Sequence, residues 1–166
     1  TFETYPVRPG DPPDAHVEYE PESTIEALEA AIQTLGHRPV RLGSPHALLD
    51  LLAGGGRPEV DAVLNVAEGH GSRNREAWAP ILLEMADIPA LGSDALSLSM
   101  SLDKAWANRL VASAGIRTAP FCVIDDPERA WTDPLPAPFP LFVKPRWEGT
   151  AKGIRRSSKV TARAEL

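Results

Sequence analysis

The stretch LFVKPRWEGTAKGIRR, residues 141–156, places lysines and small residues directly after an apolar strand pattern. Gly149, Thr150, Ala151 and Gly153 are small enough for backbone N–H groups to approach an anion closely. Flanking strands would make this a glycine-rich hairpin that closes over phosphates. Lys144 would project from the preceding strand and Lys152 from the loop itself, so a triphosphate fits the chemistry. The pattern is not a Walker A loop, because Gly153 is followed by Ile154, and it is not a dinucleotide fingerprint. The competing reading is a tight exposed turn with ordinary surface lysines, and the loop alone does not separate the two.

A second stretch, NVAEGHGSRNREAW at residues 65–78, follows the most apolar strand pattern and precedes a helix. Open parallel sheets bind ligands there, beyond the carboxyl ends of their strands. Gly69-His70-Gly71 imitates the start of a dinucleotide fingerprint, but the third glycine position holds Asn74, which argues against a Rossmann cofactor. Glu68, His70, Arg73, Arg75 and Glu76 would suit a zwitterionic substrate, arginine matching a carboxylate and glutamate an ammonium. The alternative is a charged loop with Asn74 capping the next helix. Third, Asp103-Lys104 sits early in a helix. A first-turn lysine gains nothing from the helix dipole, and a nearby phosphate would compensate it; the alternative is a solvated surface pair. His16, His37 and His46 lack ligand spacing and read as surface or helix-end residues, and with no HExxH or CxxC a dedicated zinc site is not expected. The dispersed Trp78, Trp106, Trp131 and Trp147 favour core or hinge packing over a base-stacking platform.

The elements that must position these residues follow from periodicity. PESTIEALEAAIQTLGH reads as a helix with Ser23 and Glu26 as a capping box, one buried face of Ile25, Leu28, Ile32 and Leu35, and a stop at Gly36. RPVRLG reads as a short strand, SPHALLDLLAGGG as a helix capped by Ser44 with Pro45 in its first turn, and VDAVLNVA as a strand buried on both faces. NREAWAPILLEMAD is the next helix, expected to begin late or kink at Pro80, and IPALGS the next strand. Alternating strands and helices indicate an α/β, Rossmann-like parallel sheet with helical crossovers. From residue 94 the rhythm changes. A helix capped by Ser101, with Leu102, Ala105, Leu110 and Ala114 on or beside one face, ends at Gly115; the strand APFCVID, a proline-rich loop and the strand LFVKP follow. The expected domains are therefore 1–93 and 94–166.

Composition narrows the class. A chain of 166 residues with net charge −6 lacks the basic face that phosphate-rich partners need, so nucleic acid is not an expected partner. The single cysteine, Cys122, forms no internal disulfide and favours a reducing cytoplasm. No apolar run reaches the roughly 20 residues that span a bilayer, so no membrane partner is expected. The chain opens in TFETYPV without methionine and stops in TARAEL, which reads as a helix start, so both ends are expected to be incomplete.

Three segments together resemble the first half of a D-alanine–D-alanine ligase, a member of the ATP-grasp superfamily. IPALGSDALSLSMSLDKAWANRLVASAGIRTAPF is similar to the family's segment joining its N-terminal and central domains. PLFVKPRWEGTAKGI resembles its VKP strand and the loop that closes on ATP, and VLNVAEGHGSRNREAWAPILLE its HG-containing loop and following helix. The resemblance covers roughly residues 23 to 160. It implies a pre-ATP-grasp α/β domain followed by the first α+β subdomain of the ATP-grasp fold. It also implies ATP as cofactor, held by Lys104, Lys144, Gly149, Thr150, Ala151 and Gly153, and Mg²⁺ whose ligands lie outside this chain. Glu3 is carried over as the glutamate that meets the substrate ammonium, and Glu68 stands where the family's histidine precedes glycine. The implied reaction makes an amide from an amino acid or short peptide and an amine through an acyl phosphate, and the family often forms a homodimer. The longer, more basic 67–78 loop, and Gly-Thr-Ala in place of Gly-Ser-Ser, fit a substrate other than D-alanine. Since the family's metal carboxylates and purine pocket follow this stretch, the activity is expected of the parent protein and not of 166 residues alone. The rival expectation is a non-catalytic α/β ligand-binding module; a flavodoxin-like domain is disfavoured by the break in rhythm.

Overall fold

The computed structural model describes residues 8–166; Glu3, carried over as the substrate-ammonium glutamate, lies outside them. The chain forms two compact units, Thr1–Ser99 and Met100–Leu166, and mixes helices with small sheets in the α/β manner.

In the first unit, α1 (Glu22–Thr34) starts behind Pro21, whose φ of −68° and ψ of 156° set the entry. The expected Ser23–Glu26 capping box does not form, because both residues already lie inside the helix and no side chain caps its start. Its apolar stripe is only half-buried, and Leu35 is exposed. Gly36 takes φ +85°, the left-handed conformation that ends a helix at little cost for glycine. Helix α2 (Pro45–Ala53) is capped as expected, with Ser44 Oγ accepting from the Ala47 N–H at 3.2 Å and Pro45 in the first turn.

The RPVRLG segment forms no strand. Within VDAVLNVA only β1 (Val63–Leu64) pairs, in parallel with β2 (Ala90–Leu91), so that Val63 faces Ala90 and Leu64 faces Leu91. Helix α3 (Trp78–Met85) connects them, giving the expected strand–helix–parallel strand unit. Burial on both faces does not follow: Leu64 and Val66 are exposed, because a two-strand ladder covers few side chains. Pro80 behaves as its chemistry requires. A 3₁₀ turn at Arg75–Ala77 precedes α3, which begins at Trp78, so Pro80 sits in the first turn where no intrahelical N–H bond is lost.

The core of this unit is Leu48 from α2 with Leu83 and Ile88, flanked by Leu52, Val60, Val63, Leu82 and Ala86. Leu83 is 1% exposed. Leu83→Ala is expected to destabilise the unit by about 2–5 kcal/mol, the usual cost of emptying a leucine site in a packed core. Urea unfolding followed by far-UV circular dichroism checks this, and a midpoint unchanged from wild type would refute it.

Helix α4 (Ala95–Leu102) runs across the boundary between the units, and its start is tied by Asp94 Oδ1 accepting from the Ser97 N–H at 2.7 Å. Helix α5 (Lys104–Ser113) is capped by Asp103 and not by Ser101, which lies within α4. Gly115 closes α5 with φ +79°. Of the expected stripe only Ala105 is buried, and Leu110 is exposed. APFCVID forms no strand, and Cys122 is exposed. Helix α6 (Arg129–Thr132) is closed by Arg163, which donates to the Ala130 and Asp133 carbonyls at 2.6 and 3.1 Å. β3 (Leu141–Phe142) and β4 (Lys159–Val160) pair antiparallel, Leu141 with Val160 and Phe142 with Lys159. Trp106 and Trp131 are exposed and not core residues, since a unit this small covers few large side chains.

Candidate functional site

Two clusters hold the residues singled out by sequence, one in each unit. In the second unit, the strand β3 delivers the chain through Lys144 into the glycine loop, and β4 takes it away. Lys144 is exposed. Thr150 and Ala151 take φ of 45° and 59°, and the Gly149 carbonyl accepts from the Lys152 N–H at 2.8 Å. Positive φ at both central residues is the pattern of a type I′ turn, which favours Gly, Asn or Asp. A β-branched threonine there is strained, by roughly 1–3 kcal/mol. The N–H groups of Thr150 and Ala151 donate to no other group among the described residues. Successive amides turned by left-handed backbone make an anion-binding concavity, so the loop fits a phosphate group. Gly153 is required twice over: its φ is +75°, and a Cβ would lie 2.7 Å from Pro145 Cγ.

Lys104 is joined to this loop. It is the first residue of α5, its ammonium donates to the Glu148 carbonyl, and its N–H donates to the Arg146 carbonyl at 3.2 Å. The preceding residue makes the junction. Asp103 accepts from the Ala105 and Trp106 N–H groups at 3.0 and 3.1 Å, from Arg146 Nε at 2.8 Å and from Trp147 Nε1 at 2.9 Å. A second Arg146 contact, Nη2 to Asp103 Oδ2 at 2.8 Å, makes the pair bidentate. Burial alone would raise the Asp103 pKa, but Arg146, Trp147 and the Trp106 N–H together hold the carboxyl well below the usual carboxylate range. Lys104, Lys144 and the glycine loop are therefore parts of one continuous piece of structure.

In the first unit, the loop after β1 is organised by Arg75. This side chain is 5% exposed and donates to Glu18 Oε1 at 2.8 Å and to the Ser72 carbonyl at 3.3 Å, with Glu76 Oε1 also 3.3 Å away. Asn74 occupies the cap position of the following 3₁₀ turn but makes no side-chain cap bond. Glu68 is brought to the same cluster. Burial pushes its pKa up to about 8, with further upward contributions from a hydrogen bond to Glu76 and the charges of Glu76 and Glu18, against the lowering influence of Arg75. His70 Nδ1 lies 3.0 Å from Tyr19 Oη, and Arg73 is exposed. Gly69 is buried beneath the loop, where a Cβ would lie 2.6 Å from that of Arg75.

The raised Glu68 value fixes a pH dependence. Between the ordinary carboxylate range and about pH 8 the folded state keeps a proton that the unfolded state releases, so this group makes stability fall as pH rises through that window. Glu68→Gln is expected to be more stable than wild type at pH 9 and to flatten the decline. Thermal melts of both proteins from pH 5 to 9 check it; parallel curves would refute it.

Sequence reasoning missed Glu18, Tyr19, Arg146, Trp147 and Glu148. Glu18 reaches Arg75 across 57 positions and Arg146 reaches Asp103 across 43, separations that no local pattern encodes. Asp103, the partner of Arg146 and Trp147, was by contrast marked by its place at the start of a helical run. Among the described residues no group of three or more His, Cys, Asp or Glu is arranged to hold a metal ion, and no helix is long and apolar enough to cross a membrane.

Fold and site define an α/β chain with a lysine-flanked glycine loop between two short strands. A D-alanine–D-alanine ligase of Methylacidiphilum infernorum is 39% identical over 85 residues, 51% of this chain and 26% of that protein. A putative D-alanine–D-lactate ligase of Streptomyces coelicolor is 36% identical over 123 residues, 72% of this chain and 34% of the relative. D-alanine–D-alanine ligase A of Escherichia coli K12 is 31% identical over 121 residues, 70% of this chain and 32% of the relative. The chain thus spans about a third, or less, of the length of these curated relatives. No family model and no solved structure matches it. This is a D-alanine–D-alanine ligase-like chain.

Proposed function

We propose that the natural protein carrying this sequence is an ATP-dependent carboxylate–amine ligase. In this reading residues 1–93 are its pre-ATP-grasp domain, and residues 94–166 are the linker helix and start of the ATP-grasp central subdomain. The observation that carries it is the junction of Lys104 with the glycine loop at Glu148, in a chain similar to proteins named as ligases. Lys104 and Lys144 bind phosphate oxygens, and the Thr150 and Ala151 N–H groups complete the cradle over Gly149–Gly153. ATP supplies the phosphoryl group that turns a substrate carboxylate into an acyl phosphate open to attack by an amine. The chain's own residues contribute fixed positive charge and exclusion of water, the main electrostatic demands of phosphoryl transfer.

The amino-acid side of the reaction belongs to Glu3, Glu68, His70, Arg73 and Arg75, Arg75 acting through the carboxylates that it holds. An amino acid or short peptide other than D-alanine suits the longer, basic loop. ADP release by the natural protein, given Mg²⁺ and a broad panel of amino acids, is the test. Release that depends on particular amino acids supports the ligase. No release across the panel, with nucleotide still bound, would favour a non-catalytic binding module. Lys144→Ala is expected to weaken ATP binding about ten-fold or more, the size of one charge-assisted phosphate contact; unchanged affinity by titration calorimetry would remove Lys144 from the site.

A further inference from the structure

We infer that Glu148 is a built-in counter-ion of the anion loop, holding Lys152 in the place that a phosphate group takes when it binds. The inference rests on the phosphate-loop reading and adds what regulates it. Glu148 Oε2 lies 3.0 Å from Lys152 Nζ, with side-chain exposures of 32% and 18% respectively. The two residues flank the Gly149–Ala151 turn, and the Lys152 N–H closes that turn onto the Gly149 carbonyl at 2.8 Å. The Glu148 carbonyl also accepts from Lys104. One residue therefore engages two of the cations nearest the loop, one through its carboxylate and one through its backbone.

The consequence is a competition. A phosphate oxygen and the Glu148 carboxylate are the same kind of ligand for an ammonium, an oxygen acceptor with negative charge. They also repel each other at close range, so an anion entering the turn must displace the carboxylate. The pair neutralises the Lys152 ammonium and ties the two ends of the turn together. Glu148 thus lowers the affinity of the loop for any anion while keeping the loop organised for one. Glu148→Gln keeps the backbone carbonyl that accepts from Lys104.

The test uses the 166-residue protein and inorganic tripolyphosphate, which has the phosphates without the base. Binding is read from amide nuclear magnetic resonance shifts of Gly149–Gly153. Glu148→Gln, which keeps shape and removes charge, is expected to bind about three- to five-fold more tightly than wild type, the scale of a half-exposed ion pair. Raised salt should shrink the gain, and it should vanish when Lys152→Gln is added to both proteins. Wild-type binding with equal or weaker binding by Glu148→Gln would overturn the inference and leave the phosphate-loop reading intact. A gain that persists without Lys152 would overturn it too, since the carboxylate would then act on the anion alone. Absence of binding by both proteins would overturn the phosphate-loop reading and the inference with it.

Discussion

Asp103→Ala is expected to cost the second unit about 3–5 kcal/mol, the largest loss of any single substitution there. The carboxylate is buried and serves two backbone N–H groups of α5, both contacts of the Arg146 guanidinium and the Trp147 indole. Removing it uncaps the helix, worth about 1 kcal/mol by itself, and leaves a half-buried guanidinium without its carboxylate. Asp103→Asn keeps a capping oxygen and is expected to fall between. Because the folded carboxyl titrates below its unfolded value, its contribution is complete above about pH 4 and disappears as pH falls through and below that range. The difference between Asp103→Asn and wild type should therefore shrink steadily in acid. Urea midpoints at pH 7 and pH 3 measure both effects, and an Asp103→Ala midpoint within error of wild type would show that the clamp contributes nothing. The same substitution frees the segment that carries Lys144 and Glu148, so anion binding is expected to weaken with it.

Arg75→Met is the corresponding change in the first unit, also at about 3–5 kcal/mol, for the opposite reason. Methionine fills the volume, but Glu18, with 9% of its side chain exposed, loses its cation while Glu68 and Glu76 remain near it. Burial already holds a proton on Glu68 at neutral pH, and Arg75 is the charge that pulls its pKa down; without the guanidinium that pKa rises further. The folded variant therefore binds protons that its unfolded chain releases, and its deficit should be largest above pH 8 and smallest near pH 5. Hydrogen exchange of residues 68–77 at the two pH values, alongside the unfolding curves, locates the effect. A deficit independent of pH would mean that Arg75 acts through packing alone.

Much of this was legible locally. Ser44 with Pro45, Gly36 and Gly115 mark helix ends by rules of a few residues, and the structure follows them. Pro80 announces a helix that starts late, and the strand–helix–strand order around it produces the parallel pair of β1 and β2. Ser23–Glu26 and Ser101 were misleading for one reason: Ser, Thr and Asp all make caps, and which of several candidates does so depends on where the chain leaves the helix axis. Strand length and burial also differ from what the apolar pattern indicates. The apolar run from Val60 to Val66 measures what the segment could bury, while a two-strand ladder determines what is covered.

Residue order was enough to place a small-residue loop between two strands with lysines beside it, and to carry the resemblance to the ligases. The long-range contacts came only with the fold: Asp103 with Arg146 and Trp147, Glu18 with Arg75, and Lys104 with the Glu148 carbonyl. Caps, turns and glycine conformations depend on bonds within a few residues and are written in local order. Charge neutralisation in a low-dielectric interior depends on distances through space, which the folded chain sets between positions that sequence order holds far apart.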